Sequence, residues 1–256
     1  MTATARAWAG ASAAALVLAL AACTSPPSMA KTTGTATGTA TRLTAVLDSP
    51  IDITLRWTGG ERGAAGRVVE FATQAAGPYT ILQYVSPEQR TYRHPDLIPR
   101  TSFHYRLRPY YGPASQPVEV ALPPGGLTEQ DQRHDHEWAP PRTVGGRVVP
   151  THPVRDDAAA APKGLKATVE HANGIRFTWT DHAGDEEAQL LEIRPAGSRS
   201  FRPAAVLDPD VNSFGLITLP EEKKASYRIR ALVYGKQSNV VRLRTGAEPT
   251  ASATGR

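Results

Sequence analysis

The side chains best suited to metal binding lie together at residues 134–137, which read His-Asp-His-Glu. Imidazole and carboxylate groups are ligands that zinc and similar ions accept, and Asp131 or His152 could complete a tetrahedral set. The surrounding segment has no apolar stretch that would hold these ligands in place, so ordering it would cost conformational entropy with little return. We therefore predict a solvated segment, with no metal ion and no other cofactor.

Familiar catalytic motifs are missing from the sequence. It contains no Gly-x-Ser-x-Gly elbow, no phosphate-binding loop and no His-Glu-x-x-His zinc motif. Carboxylate pairs occur at Asp156-Asp157 and Glu186-Glu187, in linker and turn sequence where we expect nothing to raise the pKa of one partner for acid catalysis. The sequence thus predicts a protein that is not an enzyme.

The single cysteine, Cys23, indicates chemistry of another kind. One cysteine excludes an intrachain disulfide and a cysteine-based metal site. It follows an apolar run at 11–22, which is too short to span a bilayer and suits the core of a signal peptide. The run closes with Leu20, Ala21 and Ala22, and this arrangement resembles the lipobox of bacterial lipoproteins.

The lipobox resemblance implies that residues 1–22 are a signal peptide and that Cys23 carries a diacylglyceryl group after cleavage. The new amino terminus is usually acylated as well, and two or more acyl chains hold firmly because each buried CH₂ contributes ~0.8 kcal/mol. The Thr- and Ala-rich residues 23–42 then form a disordered tether. We expect the protein on the extracytoplasmic face of a bacterial cell membrane, bound to membrane lipid, or secreted if the lipobox is not used.

Two copies of a tryptophan-centred pattern organise the rest of the chain. Trp57 and Trp179 each stand in a strand-like alternation, and they are separated by the same 122 residues that separate Tyr105 from Tyr227. A fixed offset repeated over many positions indicates an internal duplication. We predict that these four aromatic side chains belong to the structural core of their copies.

Each copy reads as seven short strands of alternating apolar and polar residues, without helical periodicity. This pattern predicts an all-β protein with two antiparallel β-sandwiches, which we assign to 43–122 and 162–246. Between them, 123–161 is a Pro/Gly-rich linker, and 247–256 is a disordered tail. A join of about forty residues is long for a compact protein, so we expect a monomer with two sandwiches on a flexible linker.

The residues of both copies resemble the fibronectin type III domain. That family has a buried tryptophan on its second strand, as at Trp57, and a leucine six residues before an aromatic position, as at Leu97 and Phe103. The pattern recurs in the second copy, where one added residue aligns Gly112 with Gly235. The resemblance covers nearly all of both copies and implies two immunoglobulin-like sandwiches.

Arginine residues alternate along the predicted sixth strand of each copy, Arg106 and Arg108 in the first and Arg228 and Arg230 in the second. Alternate residues of a strand share one face, and we place these on the outward face. Such a stripe could contact an anionic polymer or lipid headgroups, or it could be an ordinary solvated surface. The net charge of +5 is spread along the chain, and with the export signal it favours no nucleic-acid partner.

Tyr110 and Tyr111 follow the first arginine stripe, in the predicted loop between the sixth and seventh strands. Adjacent aromatic rings at a loop tip can stack on sugars or anchor a protein partner. The alternative is that one ring folds onto the edge of the sandwich.

These features together predict a membrane-anchored, non-enzymatic lipoprotein that presents two modules for binding or spacing at the cell surface. Its partners would be an extracellular protein or a cell-wall polysaccharide. The alternative is an accessory subunit of a secreted polysaccharide-degrading system, or a carbohydrate-binding module acting on cell-wall polymer, which rests on what such domains accompany in other proteins.

Overall fold

The fold is described from a computed structural model. The residues that the structure describes are 40–126, 128–129, 136–146, 149–155 and 157–247. The signal peptide, the lipobox with Cys23, most of the tether and most of the predicted tail lie outside them. Within the described ranges, no helix has both the length and the apolar character needed to cross a bilayer.

The first copy forms strands where apolar and polar residues alternate. In the second strand Ile53 and Trp57 are buried whereas Arg56 and Thr58 are exposed, as expected for a strand with one face on a core. The strands of this copy are β1 (Arg42–Ser49), β2 (Asp52–Thr58), β3 (Gly66–Ala72), β4 (Thr80–Val85), β5 (Thr91–His94), β6 (Ser102–Tyr111) and β7 (Val118–Ala121).

The second copy repeats this series, with single-turn 3₁₀ helices at Ala158–Ala160 and Pro220–Glu222. Its strands are β8 (Lys163–His171), β9 (Gly174–Thr180), β10 (Ala188–Pro195), β11 (Arg202–Leu207), β12 (Ser213–Ile217), β13 (Lys224–Tyr234) and β14 (Val241–Arg244). The prediction of an all-β protein is confirmed.

Each sandwich packs a three-stranded sheet against a larger one. The smaller sheets are β1-β2-β5 in the first copy and β8-β9-β12 in the second, and both are antiparallel. The larger sheets contain β4-β3-β6 and β11-β10-β13. This division of strands is that of a fibronectin type III-like sandwich. We call the bodies built on the first six strands of each copy the first and the second sandwich.

The seventh strand of each copy completes the sandwich of the other copy. β7 pairs with β13, so that Val118 lies opposite Tyr227, and β14 pairs with β6, so that Val241 lies opposite Tyr105. β6 and β13 also pair with each other where they end, with Tyr111 opposite Val233. One eight-stranded sheet therefore runs through both sandwiches.

The two hydrophobic cores contain the exchanged strands. Val120 and Leu122 are buried in the second sandwich with Trp179, and Val241 and Leu243 pack against the first with Trp57. The boundaries 43–122 and 162–246 thus describe the two copies in sequence, but each sandwich takes its last strand from outside its own range. Both sandwiches fall within one compact unit, whereas the duplication had suggested independent bodies.

The segments before β7 and β14 cross to the other copy instead of turning back. Gly112 has φ of +137°, and a Cβ there would lie 2.0 Å from the carbonyl oxygen of Ala231, so only glycine permits this approach. The Ser115 N–H donates to the Ile229 carbonyl at 2.8 Å, and the Ser115 Oγ accepts the Ile229 N–H at 3.1 Å. Ser238 makes the same two bonds, at 2.8 and 3.0 Å, with the corresponding residue of β6.

The described parts of the 123–161 linker pack on the second sandwich, where we had expected a flexible join. The Trp138 indole lies over Gly174 and Gly215, at which a Cβ would come within 2.7 and 2.5 Å of the ring. Beside it, Arg142 and Ser213 exchange two backbone hydrogen bonds of 2.9 and 3.1 Å. The linker therefore covers the exposed edge of β12, which would otherwise present unpaired backbone groups.

The exchange can be tested by engineered disulfides, because Arg244 lies opposite Ser102 in the structure. A cysteine pair at Ser102 and Arg244, in a Cys23→Ala chain, should crosslink when it is oxidised, since paired strands bring Cα atoms within disulfide range. If β14 instead completed its own copy, the duplication would place Arg244 beside Lys224. The control pair Lys224→Cys with Arg244→Cys should therefore stay reduced, and mass spectrometry of non-reduced peptides would detect the opposite result.

Candidate functional site

The outer faces of the two larger sheets meet in an apolar cluster that we call the junction patch. Its members come from both copies, and Val68 and Leu190 occupy equivalent positions, as do Tyr110 and Leu232. The patch consists of Val68, Tyr84, Tyr110, Ala188, Leu190 and Leu232, with Ala65 and Tyr234 packed against it. The hydroxyls of Tyr84 and Tyr234 hydrogen-bond each other across it. Outward-facing residues of each copy are thus buried by the other.

Of the two tyrosines predicted to lie at a loop tip, Tyr110 belongs to the junction patch, and Tyr111 follows it in β6 and pairs with Val233 of the other copy. β6 continues through Tyr111, so neither residue is in a loop. Tyr110 is only 1% exposed, and burial raises the pKa of its hydroxyl above the ordinary value, with the Glu192 carboxylate adding to the rise. Tyr111 is also buried, and the Arg155 guanidinium carbon lies 4.2 Å from its ring centroid. The two rings hold the sandwiches together rather than project into solvent.

The arginine stripes are ion-paired, where we had considered an exposed stripe free to bind a polymer or simply solvated. In the first copy, Glu70 Oε2 accepts from Arg106 Nε at 2.5 Å, and Glu70 Oε1 lies 3.7 Å from Arg108 Nη1. In the second copy, Oε2 of the equivalent Glu192 accepts from Arg228 Nε at 2.6 Å and from Arg230 Nη2 at 3.1 Å.

Aromatic rings cover these arginines, again in equivalent pairs. The guanidinium carbon of Arg106 lies 3.8 Å from the Tyr79 ring centroid, and that of Arg228 lies 4.1 Å from the Phe201 centroid. A guanidinium over a ring face gains a favourable cation–π interaction. The arginine charges are consequently used within the protein.

Two of the arginines also join the copies to each other. Arg108 Nη2 lies 3.9 Å from the Glu187 carboxylate, and Arg230 Nη1 donates to the Gly112 carbonyl in the crossing segment. Charge and apolar burial therefore act on the same contact between the sandwiches.

The four aromatic residues predicted as core lie inside the sandwiches. Trp57 and Tyr105 are buried in the first, and Trp179 and Tyr227 in the second. Burial raises the pKa of both tyrosine hydroxyls. Their role is structural, and they are not accessible to a partner.

A groove of about 330 Å³ opens between the sandwiches, beside the junction patch. We call it the inter-copy groove. Its lining includes Ser86, Pro87, Glu88 and Tyr110 from the first copy, and Glu192, Phe201, Arg228 and Arg230 from the second. Sequence reasoning singled out some of these side chains but missed the groove, because it forms only where the two copies pack together.

The histidines of the predicted metal-capable segment are apart in the structure. His152 Nδ1 lies 2.8 Å from the Asp157 carboxylate, whereas the His136 ring packs edge to face on His171, with centroids 5.2 Å apart. His134 and Asp131 lie outside the described residues. The described residues of this segment thus serve to attach the linker.

A carboxylate cluster that sequence reasoning missed joins Asp181, Glu186 and Asp210, whose oxygens lie within 4.8 Å of one another. Burial raises the pKa of Glu186, and the Asp181 carboxylate adds to the rise, although the Asp210 N–H that Glu186 accepts at 3.1 Å opposes it. This corrects the expectation that nothing in the turn would shift that carboxyl. Asp181 and Glu186 share the loop between β9 and β10, but Asp210 comes from the loop after β11, so the sequence did not show that the three carboxylates meet.

Comparison with known proteins adds only to the description of the fold. No protein-family model matches the sequence, and no curated protein matches it significantly. The chain is similar to a two-domain fibronectin type III segment of chicken tenascin, with 14% identity, a TM-score of 0.25, and coverage of 81% of this chain and 99% of that chain. It is also similar to the FN1-FN3 domains of chicken CNTN1, with 15% identity, a TM-score of 0.25, and coverage of 81% and 67%. The strand order described above carries the assignment of fold.

The contributions of Glu70 and Glu192 to stability can be compared by the same substitution at each position. Glu192→Gln should lower the free energy of unfolding by about 3–5 kcal/mol, because it leaves two arginines without their counter-charge. Glu70→Gln should cost less, since the side chain of Arg108 is 27% exposed and that of Arg230 only 10%. Urea denaturation of both variants would measure the difference, with the exposed Glu221→Gln as control. Equal losses would contradict this account.

The raised pKa of Glu186 makes stability depend on pH in a defined direction. Between the ordinary carboxyl pKa of about 4.5 and the higher value of the folded state, the folded chain binds more protons than the unfolded chain. Stability contributed by this group therefore falls as the pH rises through that window. Glu186→Gln should unfold at a higher temperature than the parent protein at pH 7, and the gain should vanish near pH 4. A gain independent of pH would refute the charge explanation.

Proposed function

We propose that the protein is an extracytoplasmic lipoprotein, held to a bacterial membrane through acylated Cys23, whose two fibronectin type III-like sandwiches act as one non-enzymatic binding or spacer body. Its partners are an extracellular protein or a cell-wall polysaccharide.

The position of the cysteine carries this proposal. Cys23 is the only cysteine of the chain, and it directly follows Leu20, Ala21 and Ala22 at the end of the apolar run. A thiol has no disulfide partner here, so acylation accounts for its presence at this position.

The path of the chain supports display from a tether. Leu43 at the start of β1 is bonded through both backbone groups to the Asn239 side chain, each at 2.9 Å, and the Gly246 N–H donates to the Pro50 carbonyl at 2.7 Å. The described chain thus enters and leaves through the first sandwich, which carries the second.

The chemistry of the junction supports binding rather than catalysis. Glu70 and Glu192, its buried carboxylates, are each engaged by two arginines. A carboxylate paired in this way serves to join the strands that carry it and its arginines. The inter-copy groove nevertheless provides a concave surface of the kind that ligands occupy.

The anchor is tested by Cys23→Ala in a bacterial host. The parent protein should incorporate a labelled fatty acid and sediment with membranes, whereas the variant should incorporate none and be recovered in the soluble extracytoplasmic fraction or the medium. Ser25→Ala, two residues away, should behave like the parent. Label in the Cys23→Ala protein, or an unlabelled parent protein, would overturn the proposal.

A further inference from the structure

The geometry points to the inter-copy groove as a binding site for a neutral sugar of a polysaccharide. This inference deepens the proposed function and rests on it only for the cellular setting. The groove lies at the lower end of the ~300–1,000 Å³ range of small-ligand pockets, which gives room for a short stretch of a carbohydrate chain.

The floor of the groove offers hydrogen-bond acceptors and donors side by side. Arg228 Nε and Arg230 Nη2 both donate to Glu192 Oε2, and Glu192 Oε1 receives no hydrogen bond from the described residues. The terminal nitrogens of Arg228 likewise donate to none of the described residues. An acceptor next to fixed donors matches the adjacent hydroxyls of a sugar ring, each of which donates and accepts.

The balance of charge selects a neutral ligand over an anion. The charged groups lining the groove are Glu88, Glu192, Arg228 and Arg230, so two carboxylates face two guanidinium groups. The opposite charges balance, so an acidic sugar would gain no net attraction in the groove. Neutral hydroxyls need none, because they bind through hydrogen bonds.

The walls supply the apolar surface that the CH face of a sugar requires. Phe201 and Pro87 face the groove from opposite copies. The guanidinium carbons of Arg228 and Arg194 lie 4.1 and 4.8 Å from the Phe201 ring centroid, and they fix the orientation of the ring. A ring held in this way loses little entropy when a ligand packs against it.

The first copy has the equivalent residues Tyr79, Glu70 and Arg106, and they serve as an internal comparison. There Arg106 lies under Tyr79 and pairs with Glu70, but Arg106 Nη1 also donates to Gln237 Oε1 at 2.6 Å. One terminal nitrogen of Arg106 is thus bonded within the protein. Both terminal nitrogens of the equivalent Arg228 donate to none of the described residues, and Arg228 lines the inter-copy groove.

The test is an NMR titration of the purified, isotope-labelled full chain with cellohexaose, chitohexaose, mannohexaose and maltohexaose, and with hexagalacturonate as the anionic probe. At least one neutral hexasaccharide should shift the amide signals of residues 86–88 and 200–203 in a saturable manner. Ser86→Trp, which fills the groove without touching the ion pairs, should weaken that binding at least tenfold. Asp208→Trp, at the equivalent position of the second copy, should not.

A second pair of variants distinguishes a direct contact of the Phe201 ring with the sugar from a general effect of losing a ring that covers an arginine. Phe201→Ala should weaken binding and Tyr79→Ala should leave it unchanged, although both remove a ring from an arginine. The proposal fails if none of the four neutral probes shifts these signals at millimolar concentration, if hexagalacturonate binds more tightly, or if Ser86→Trp binds as the parent does. Because sugar binding is measured in solution, a negative result would not contradict the membrane anchor. Failure of the anchor experiment would likewise not contradict the sugar site.

Discussion

The structure depends on the backbone hydrogen bonding of β6 and β13. Each of these long central strands needs a partner along its outer edge, because a buried strand edge with unpaired N–H and C=O groups is costly. The partner comes from the other copy in both cases, since β14 pairs with β6 and β7 pairs with β13. Neither sandwich has a complete larger sheet without the other, so each copy depends on the other for its fold.

The junction follows from that exchange. Once the crossing segments bring the ends of β6 and β13 together, the outer faces of the larger sheets are forced into contact. Residues that an isolated module would expose, such as Val68 and Leu190, are then buried, and the arginines beside them can remain only because Glu70 and Glu192 neutralise them. Gln189 shows the cost of this crowding, since it is fully buried and its amide bonds to none of the described residues.

Much of each copy could be predicted from its residues. The spacing of Trp57 and Tyr105 placed the core strands, and alternation predicted the faces, because both depend on local geometry and on burial of apolar surface. The exchange could not be predicted, because Val120 and Leu243 stand at equivalent positions of the duplication and suit either core. The inter-copy groove could not be predicted for the same reason. Glu192 and Arg228 come from one copy and Ser86 from the other, and no spacing along the chain shows that they line one groove.

The parallel course of β1 and β14, the first and last of the described strands, determines how the protein would carry mechanical load. Leu43 is tied to Asn239 and Pro50 to Gly246, so β1 and β14 run alongside each other in the same direction. Tension applied between the two ends of the described chain would shear these strands past each other and must break several bonds at once. The second sandwich lies off that line, so the first sandwich would bear the strain.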